Sequence, residues 1–209
     1  VDRIGLILLA GGSSLRFSKK KLKQLLPVCG LPLYLYTLSR LQKAYRFYDI
    51  VVVLNPSIKA PNGLKTALPG KSWIESVYSG FNFLPSEVDK VLVHDAARPF
   101  FDASDLLNLI EQSQTTSVAS LGSKERNTLA RIEESTIDII DRTHIWEIFT
   151  PQIANREIFL LPISPTSTDL ITHALSHGVQ GKIFPSNPLN IKITYPQDEV
   201  IGETLAKVF

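Results

Sequence analysis

Three short apolar runs constrain the fold of this chain more than any other feature: Arg3 to Leu9, Asp49 to Leu54 and Asp89 to His94. Each is strand-length and rich in Val, Ile and Leu, without the regular polar alternation of a strand that has one wet face. They predict strands covered on both sides. Between them the period becomes helical. Pro32 stands where a helix can open, and Leu33, Tyr36, Thr37, Arg40 and Leu41 follow at helical spacing. Ser72, with Glu75 three residues on, predicts a capping box opening a helix to Leu84. Asp102 predicts a cap for a helix with Leu106, Leu107 and Ile110 facing inward. Strands alternating with helices in this way predict an α/β fold, a doubly wound and mostly parallel sheet with helices on both faces.

After Thr115 the rhythm changes. Ser117 to Leu121 reads as a strand, but residues 126–142 read as short strands of alternating polarity with turn-prone residues between them. Thr128 to Ile132 and Thr136 to Ile140 predict a hairpin around Glu133-Glu134-Ser135. Such a hairpin is not stable alone, so residues 122–142, approximately, are expected to form an inserted β-arm that packs on something else. The doubly wound pattern resumes with Asn190 to Thr194 as a strand and Pro196 opening a last helix. With 209 residues and no linker, the expectation is one domain over 1–209.

Composition narrows the partners. A net charge of +2 is too small to indicate nucleic acid or an anionic membrane. The run Ile4 to Ala10 is too short to cross a bilayer and leads directly into Gly11-Gly12, so it reads as a buried strand and not a signal peptide. The lone Cys29 has no disulfide partner within the chain, which fits a reducing compartment. His94, His144, His173 and His177 lack metal-ligand spacing, and the last two read as solvent-facing residues on one helix face.

Four segments can carry chemistry. The first, Leu9-Ala-Gly-Gly-Ser-Ser-Leu-Arg16-Phe17, follows the first strand, where small residues let backbone amides approach an anion. It is neither a Walker loop nor a dinucleotide fingerprint. Arg16 and Lys23 bracket a cluster of cations in which Lys19 to Lys21 read as a solvated basic loop, while Arg16 and Lys23 can both reach one polyphosphate. The second segment, Val91-Leu-Val-His-Asp95-Ala-Ala-Arg98-Pro99, emits a carboxylate and a cation from a strand end. There Asp95 serves either as a Mg²⁺ ligand beside phosphates or as an ion-pair partner of Arg98. The third is Asp141-Arg142-Thr-His-Ile-Trp146, followed by Thr150-Pro-Gln152, and the fourth is Asn190-Ile-Lys192-Ile-Thr194. Lys192 stands among apolar neighbours, where a lysine calls for a partner. An anionic ligand supplies one, and an edge strand guarded by its lysine is the other explanation.

In this order, these motifs and Gly70 with Ser76-Val77 resemble the 2-C-methyl-D-erythritol 4-phosphate cytidylyltransferase family from residue 4 to about 206. The resemblance implies that CTP joins a polyol phosphate acceptor with release of pyrophosphate. Ala10, Gly11, Gly12, Gly70 and Ser76 would line the cytidine pocket, Arg16 and Lys23 would hold the α-phosphate, and Asp95 would bind Mg²⁺. Thr128, Arg142 and Lys192 would meet the acceptor. The resemblance also implies a homodimer whose arm crosses to the neighbouring site, without nucleic acid or membrane, in a bacterial cytoplasm or a plastid stroma. A ribitol 5-phosphate cytidylyltransferase and a non-catalytic nucleotide-binding protein are the alternatives. Four positions depart from the family pattern: Ser14 for a second loop glycine, Trp73 for arginine, Asn127 before Thr128 for an acid, and Leu170 for an acid. The last two are expected near the acceptor.

Overall fold

In the computed structural model, which describes residues 2–14, 17 and 22–208, the chain enters as β1 (Ile4–Ala10). A small hairpin of β2 (Pro27–Val28) and β3 (Leu31–Pro32) leads to α1 (Leu33–Ala44), β4 (Asp49–Leu54) and β5 (Thr66–Ala67). Next come α2 (Trp73–Phe81), β6 (Lys90–Asp95), α3 (Ala103–Gln112) and β7 (Val118–Lys124). The remainder comprises β8 (Leu129–Glu133), β9 (Thr136–Ile140), β10 (Trp146–Asn155), α4 (Leu170–Ser176), β11 (Lys182–Pro185) and α5 (Asp198–Leu205).

Seven strands form one sheet in the order β11-β7-β10-β6-β1-β4-β5, and only β10 runs against its neighbours. The apolar runs that predicted β1, β4 and β6 therefore lie side by side at its centre. Alternate residues of these strands face opposite layers. Leu6, Leu8, Val52 and Leu92 meet α1 and α3, while Ile7, Val51, Val53, Val91 and Val93 meet α2 and α4. Burial on both faces is why the strands read as unbroken apolar runs. A third cluster of Phe17, Leu26, Val28, Leu33, Tyr36, Phe100 and Ile193 ties β2–β3 to the segment before α5. From β1 the chain winds outward through β4 and β5, then returns to β6 on the other side of β1. This reversal is the place where open α/β sheets bind ligands, at the carboxyl ends of the strands.

Several local expectations need correction. Helix α2 ends at Phe81, not Leu84, because Phe83 and Leu84 fold back on Gly80 and Phe81 ahead of Pro85. The Ser72 side chain does cap Glu75, but the Glu75 carboxylate accepts from the Lys71 amide instead of completing the box at Ser72. In α3, Leu107 is 46% exposed; the buried stripe is Leu106, Leu109 and Ile110, which repeats at helical spacing. His173 is fully buried, bonded to Tyr78 and Ser167, so it is not solvent-facing. Asn190 to Thr194 is not a strand, because its backbone bonds to the loop after β6 and not to a ladder, and the last helix opens at Asp198. The ten-residue β10 was not read from the sequence, since Pro151 argues against a central strand. The register shift between Phe149 and Gln152 accommodates it.

The hairpin β8–β9 forms as expected, turning at Glu134 with φ 53° and pairing Leu129 with Ile140 through Glu133 with Thr136. It is its own two-stranded sheet. Gly122 to Lys124 remain in the main sheet, paired with Trp146 to Ile148, so the projecting part begins after Lys124. Within the hairpin, Ala130, Ile132, Ile137 and Ile139 share one face, whereas Arg131, Glu133 and Asp138 share the other. The three isoleucines of the apolar face are between 66% and 70% exposed.

Candidate active site

At the carboxyl ends of β1 and β6 lies a cavity of about 670 Å³. Its walls contain Ala10, Gly11, Gly12, Lys23, Gly70, Ser76, Asp95 and Lys192, so eight positions singled out by sequence meet in one place. Arg16 lies outside the described residues. Thr128 and Arg142 are exposed on and beside the hairpin and do not line this cavity. Asp141 accepts from the Thr143 amide and hydroxyl, which orders the turn that presents Arg142.

Gly11 and Gly70 are needed for space, whereas a side chain on Gly12 would meet only an ordinary contact with Gln24. A Cβ on Gly11 would stand 2.5 Å from Pro69 Cβ, and one on Gly70 would stand 2.7 Å from the Glu75 carbonyl carbon. Ser14 holds φ 59°, a left-handed backbone that costs a side chain of order 1–2 kcal/mol and that a glycine would adopt freely. Its hydroxyl offsets this by donating to Gln24 Oε1 at 2.9 Å and accepting from the Lys23 amide at 3.0 Å. Buried Gln24 also donates to the Gly12 carbonyl. The Lys-Gln pair thus divides its work: Gln24 braces the loop, and Lys23 lines the cavity with its Nζ 2.6 Å from the Ile193 carbonyl.

Asp95 is the electrostatic centre. Lys192 Nζ lies 2.6 Å and Arg98 Nε 3.9 Å from Oδ2, while the Trp73 indole N–H donates to Oδ1 at 3.2 Å. Burial alone would raise its carboxyl, but the Lys192 ammonium first, and then Arg98 and the indole, hold it below the usual carboxylate range. The two sequence readings of Asp95 are therefore compatible: it pairs with cations and still faces the cavity. Lys192 is not on a guarded edge strand. Its segment is pinned across the strand ends by Ile193 N to Ala97 O, Arg98 Nη1 to Asn190 O and Asn190 Nδ2 to Thr150 O.

The Thr-Pro-Gln motif turns out to be framework. Thr150 Oγ1 accepts from the Asp95 amide, and Gln152 Oε1 accepts from the Leu170 amide. Leu170, the first residue of α4, is fully buried in the core and does not line the cavity. Ser76 Oγ accepts from the Gly70 amide at 3.0 Å and donates to the Ser72 carbonyl at 2.9 Å. That leaves one lone pair, an acceptor, for a ligand. Sequence reasoning did not assign Trp73 as a partner of Asp95, because the contact joins residues 22 positions apart.

The sequence matches the 2-C-methyl-D-erythritol 4-phosphate cytidylyltransferase family over residues 4–207. The chain belongs to this family. A cytidylyltransferase of that name from Leptospira interrogans serovar copenhageni is 32% identical over 224 residues, covering 100% of this chain and 94% of that protein. One from Chlamydia muridarum is 32% identical over 209 residues, covering 96% of this chain and 94% of that protein. The chloroplastic cytidylyltransferase of Oryza sativa is 30% identical over 221 residues, covering 97% and 74% respectively. The fold likewise matches a 4-diphosphocytidyl-2C-methyl-D-erythritol synthase from Anaerococcus prevotii, with TM-score 0.82, 20% identity and 99% of both chains covered. As a member of the cytidylyltransferase family, this chain is a nucleotidyltransferase.

Proposed function

We propose that this cavity joins CTP to 2-C-methyl-D-erythritol 4-phosphate, giving 4-diphosphocytidyl-2-C-methyl-D-erythritol and pyrophosphate. The observation that carries the reading is the meeting of the glycine loop, Lys23, Asp95 and Lys192 around one cavity at the switch point of the sheet. An acceptor phosphate oxygen attacks the α-phosphorus of CTP in line, and the bond to the pyrophosphate oxygen breaks. No covalent enzyme intermediate is needed, so the protein acts by positioning and charge stabilisation.

The small-residue loop from Ala10 to Gly12 and the turn at Gly70 surround the base, and the remaining acceptor site on Ser76 suits the amino donor of cytosine. Arg16 and Lys23 hold the α-phosphate as charge develops on it. Lys192 orients the acceptor phosphate, with Thr128 and Arg142 contributed by a second copy. The residues present fit Mg²⁺: Asp95 is an ionised hard-oxygen ligand at the cavity wall, and Mg²⁺ is commonly held by one or two carboxylates together with substrate phosphates. Among the described residues no three His, Cys, Asp or Glu side chains cluster as a ready-made cage. Bound there, the ion would neutralise phosphate charge. Asn127, whose amide is tied to Glu125, stands next to Thr128 on the arm and touches acceptor choice only through it.

Dimerisation is supported by the apolar face of β8–β9, which otherwise leaves three isoleucines in water. No helix among the described residues is long and apolar enough to cross a membrane. Co-refolding Lys23→Ala with Arg142→Ala chains tests the shared site. Random exchange makes about half of the dimers mixed, each with one intact site, so roughly a quarter of wild-type pyrophosphate release should return. Mixed dimers confirmed by native mass spectrometry without recovered activity would show that Arg142 serves its own chain.

A further inference from the structure

Trp73 is the first residue of α2, and it lines the cavity beside Ser72 and Ser76. Its indole reaches an oxygen of Asp95 on another element, and among the described residues it is the uncharged side-chain donor to a carboxylate otherwise faced by Lys192 and Arg98. Among the described residues, Lys192 and Arg98 approach Oδ2, and the indole donates to Oδ1. The torsion that turns a carboxylate about Cβ–Cγ is broad, so cations gathered at one oxygen leave the tilt of the carboxylate plane loosely set. A donor to the other oxygen restricts that tilt.

We propose that Trp73 is a positioning residue: its indole N–H sets the rotation of the Asp95 carboxylate without adding a third positive charge around it. The inference rests on the cavity being the site of cytidylyl transfer and deepens that reading. Tryptophan is a donor only and does not titrate. Each Asp95 oxygen can accept more than one bond, so Oδ1 keeps acceptor capacity for a hard cation or a water. An arginine in this place would hold the same oxygen but crowd a third cation onto one carboxylate.

Trp73→Phe keeps the ring and removes the N–H. A group displaced slightly from its working geometry costs roughly ten- to a hundredfold in rate; the expected result is a kcat loss of that size with KM for CTP within about twofold. In the Asp95→Asn background the same substitution should cost nothing further, because its effect passes through the carboxylate. Trp73→His, assayed at pH 8 where an imidazole is neutral, should recover part of the loss. Its Nε2 takes the place of the indole nitrogen when the five-membered rings superimpose. Independently of turnover, ¹⁵N-indole NMR should show Asp95→Asn moving the Trp73 resonance upfield and leaving that of Trp146 in place. Wild-type kcat in Trp73→Phe, equal losses in both backgrounds, or an unmoved indole signal would each overturn the proposal. A wild-type protein that releases no pyrophosphate from CTP and 2-C-methyl-D-erythritol 4-phosphate would instead sink the functional reading, with the NMR result still deciding the contact.

Discussion

The cavity and the hairpin β8–β9 are built on opposite terms. Around the cavity the key side chains are held by distant parts of the same chain: Asp95 by Trp73 and Lys192, beside its near neighbour Arg98, and Lys23 by the Ile193 carbonyl. The hairpin is held by its own ladder, and its apolar residues face outward. Charge has been gathered into a low-dielectric wall in one region, and hydrophobic surface has been left in water in the other. The first arrangement gathers cations around a carboxylate at a cavity; the second leaves an apolar face exposed.

Removing a cation from the cavity should have the largest effect. If Lys23 stabilises charge developing on the α-phosphate, Lys23→Ala should lower kcat by about 10²- to 10³-fold, as loss of a transition-state donor does. Steady-state pyrophosphate release measures it, and a loss confined to KM would assign Lys23 to ground-state binding.

Charging the hairpin should disconnect assembly from nucleotide binding. Burying an isoleucine contributes about 1.5–3 kcal/mol, so Ile132→Asp with Ile137→Asp should weaken self-association by at least about 10²-fold. Sedimentation would report monomers while calorimetric CTP binding persists. Unchanged sedimentation would leave this face without a role in assembly.

The smallest effect concerns pH. His94 is fully buried, its Nε2–H donating to the Arg98 carbonyl, and burial pushes it down to about 4 from 6.5. Because the folded value is depressed, the unfolded chain takes up the proton first. Stability is therefore complete above about pH 6.5 and declines as pH falls toward about 4, by up to about 3 kcal/mol. The carboxyl of Asp95, also lowered, acts only below its ordinary value of 3.8, a separate window. Thermal melts of His94→Gln between pH 4.5 and 7 should show a shallower slope than wild type. The slope should not vanish, because burial also lowers His173. An unchanged slope would mean that His94 does not govern this window.

Much of this was legible in the chain because it is encoded locally. Apolar runs placed β1, β4 and β6, and strand alternation placed β8 and β9 almost to the residue. Asp102 and Ser72 announced their helices, because capping is a contact between near neighbours. Strand β10 was hidden by Pro151, which is tolerated only because the register shifts beside it. Leu107 was misassigned because inward and outward leucines of α3 look alike until the helix meets the sheet.

Sequence alone determined the alternating strand-helix order, the projecting hairpin and eight of the positions that line the cavity, since these follow from side-chain period and residue type. Only the tertiary structure decided which oxygen of Asp95 each donor takes, that Lys192 rides an irregular segment, and that Trp73 and Gln24 brace the site. Those contacts join residues such as Asp95 and Lys192, distant along the chain, through hydrogen bonds of about 3 Å. Geometry at that scale exists only after the sheet has brought the ends of β1 and β6 together.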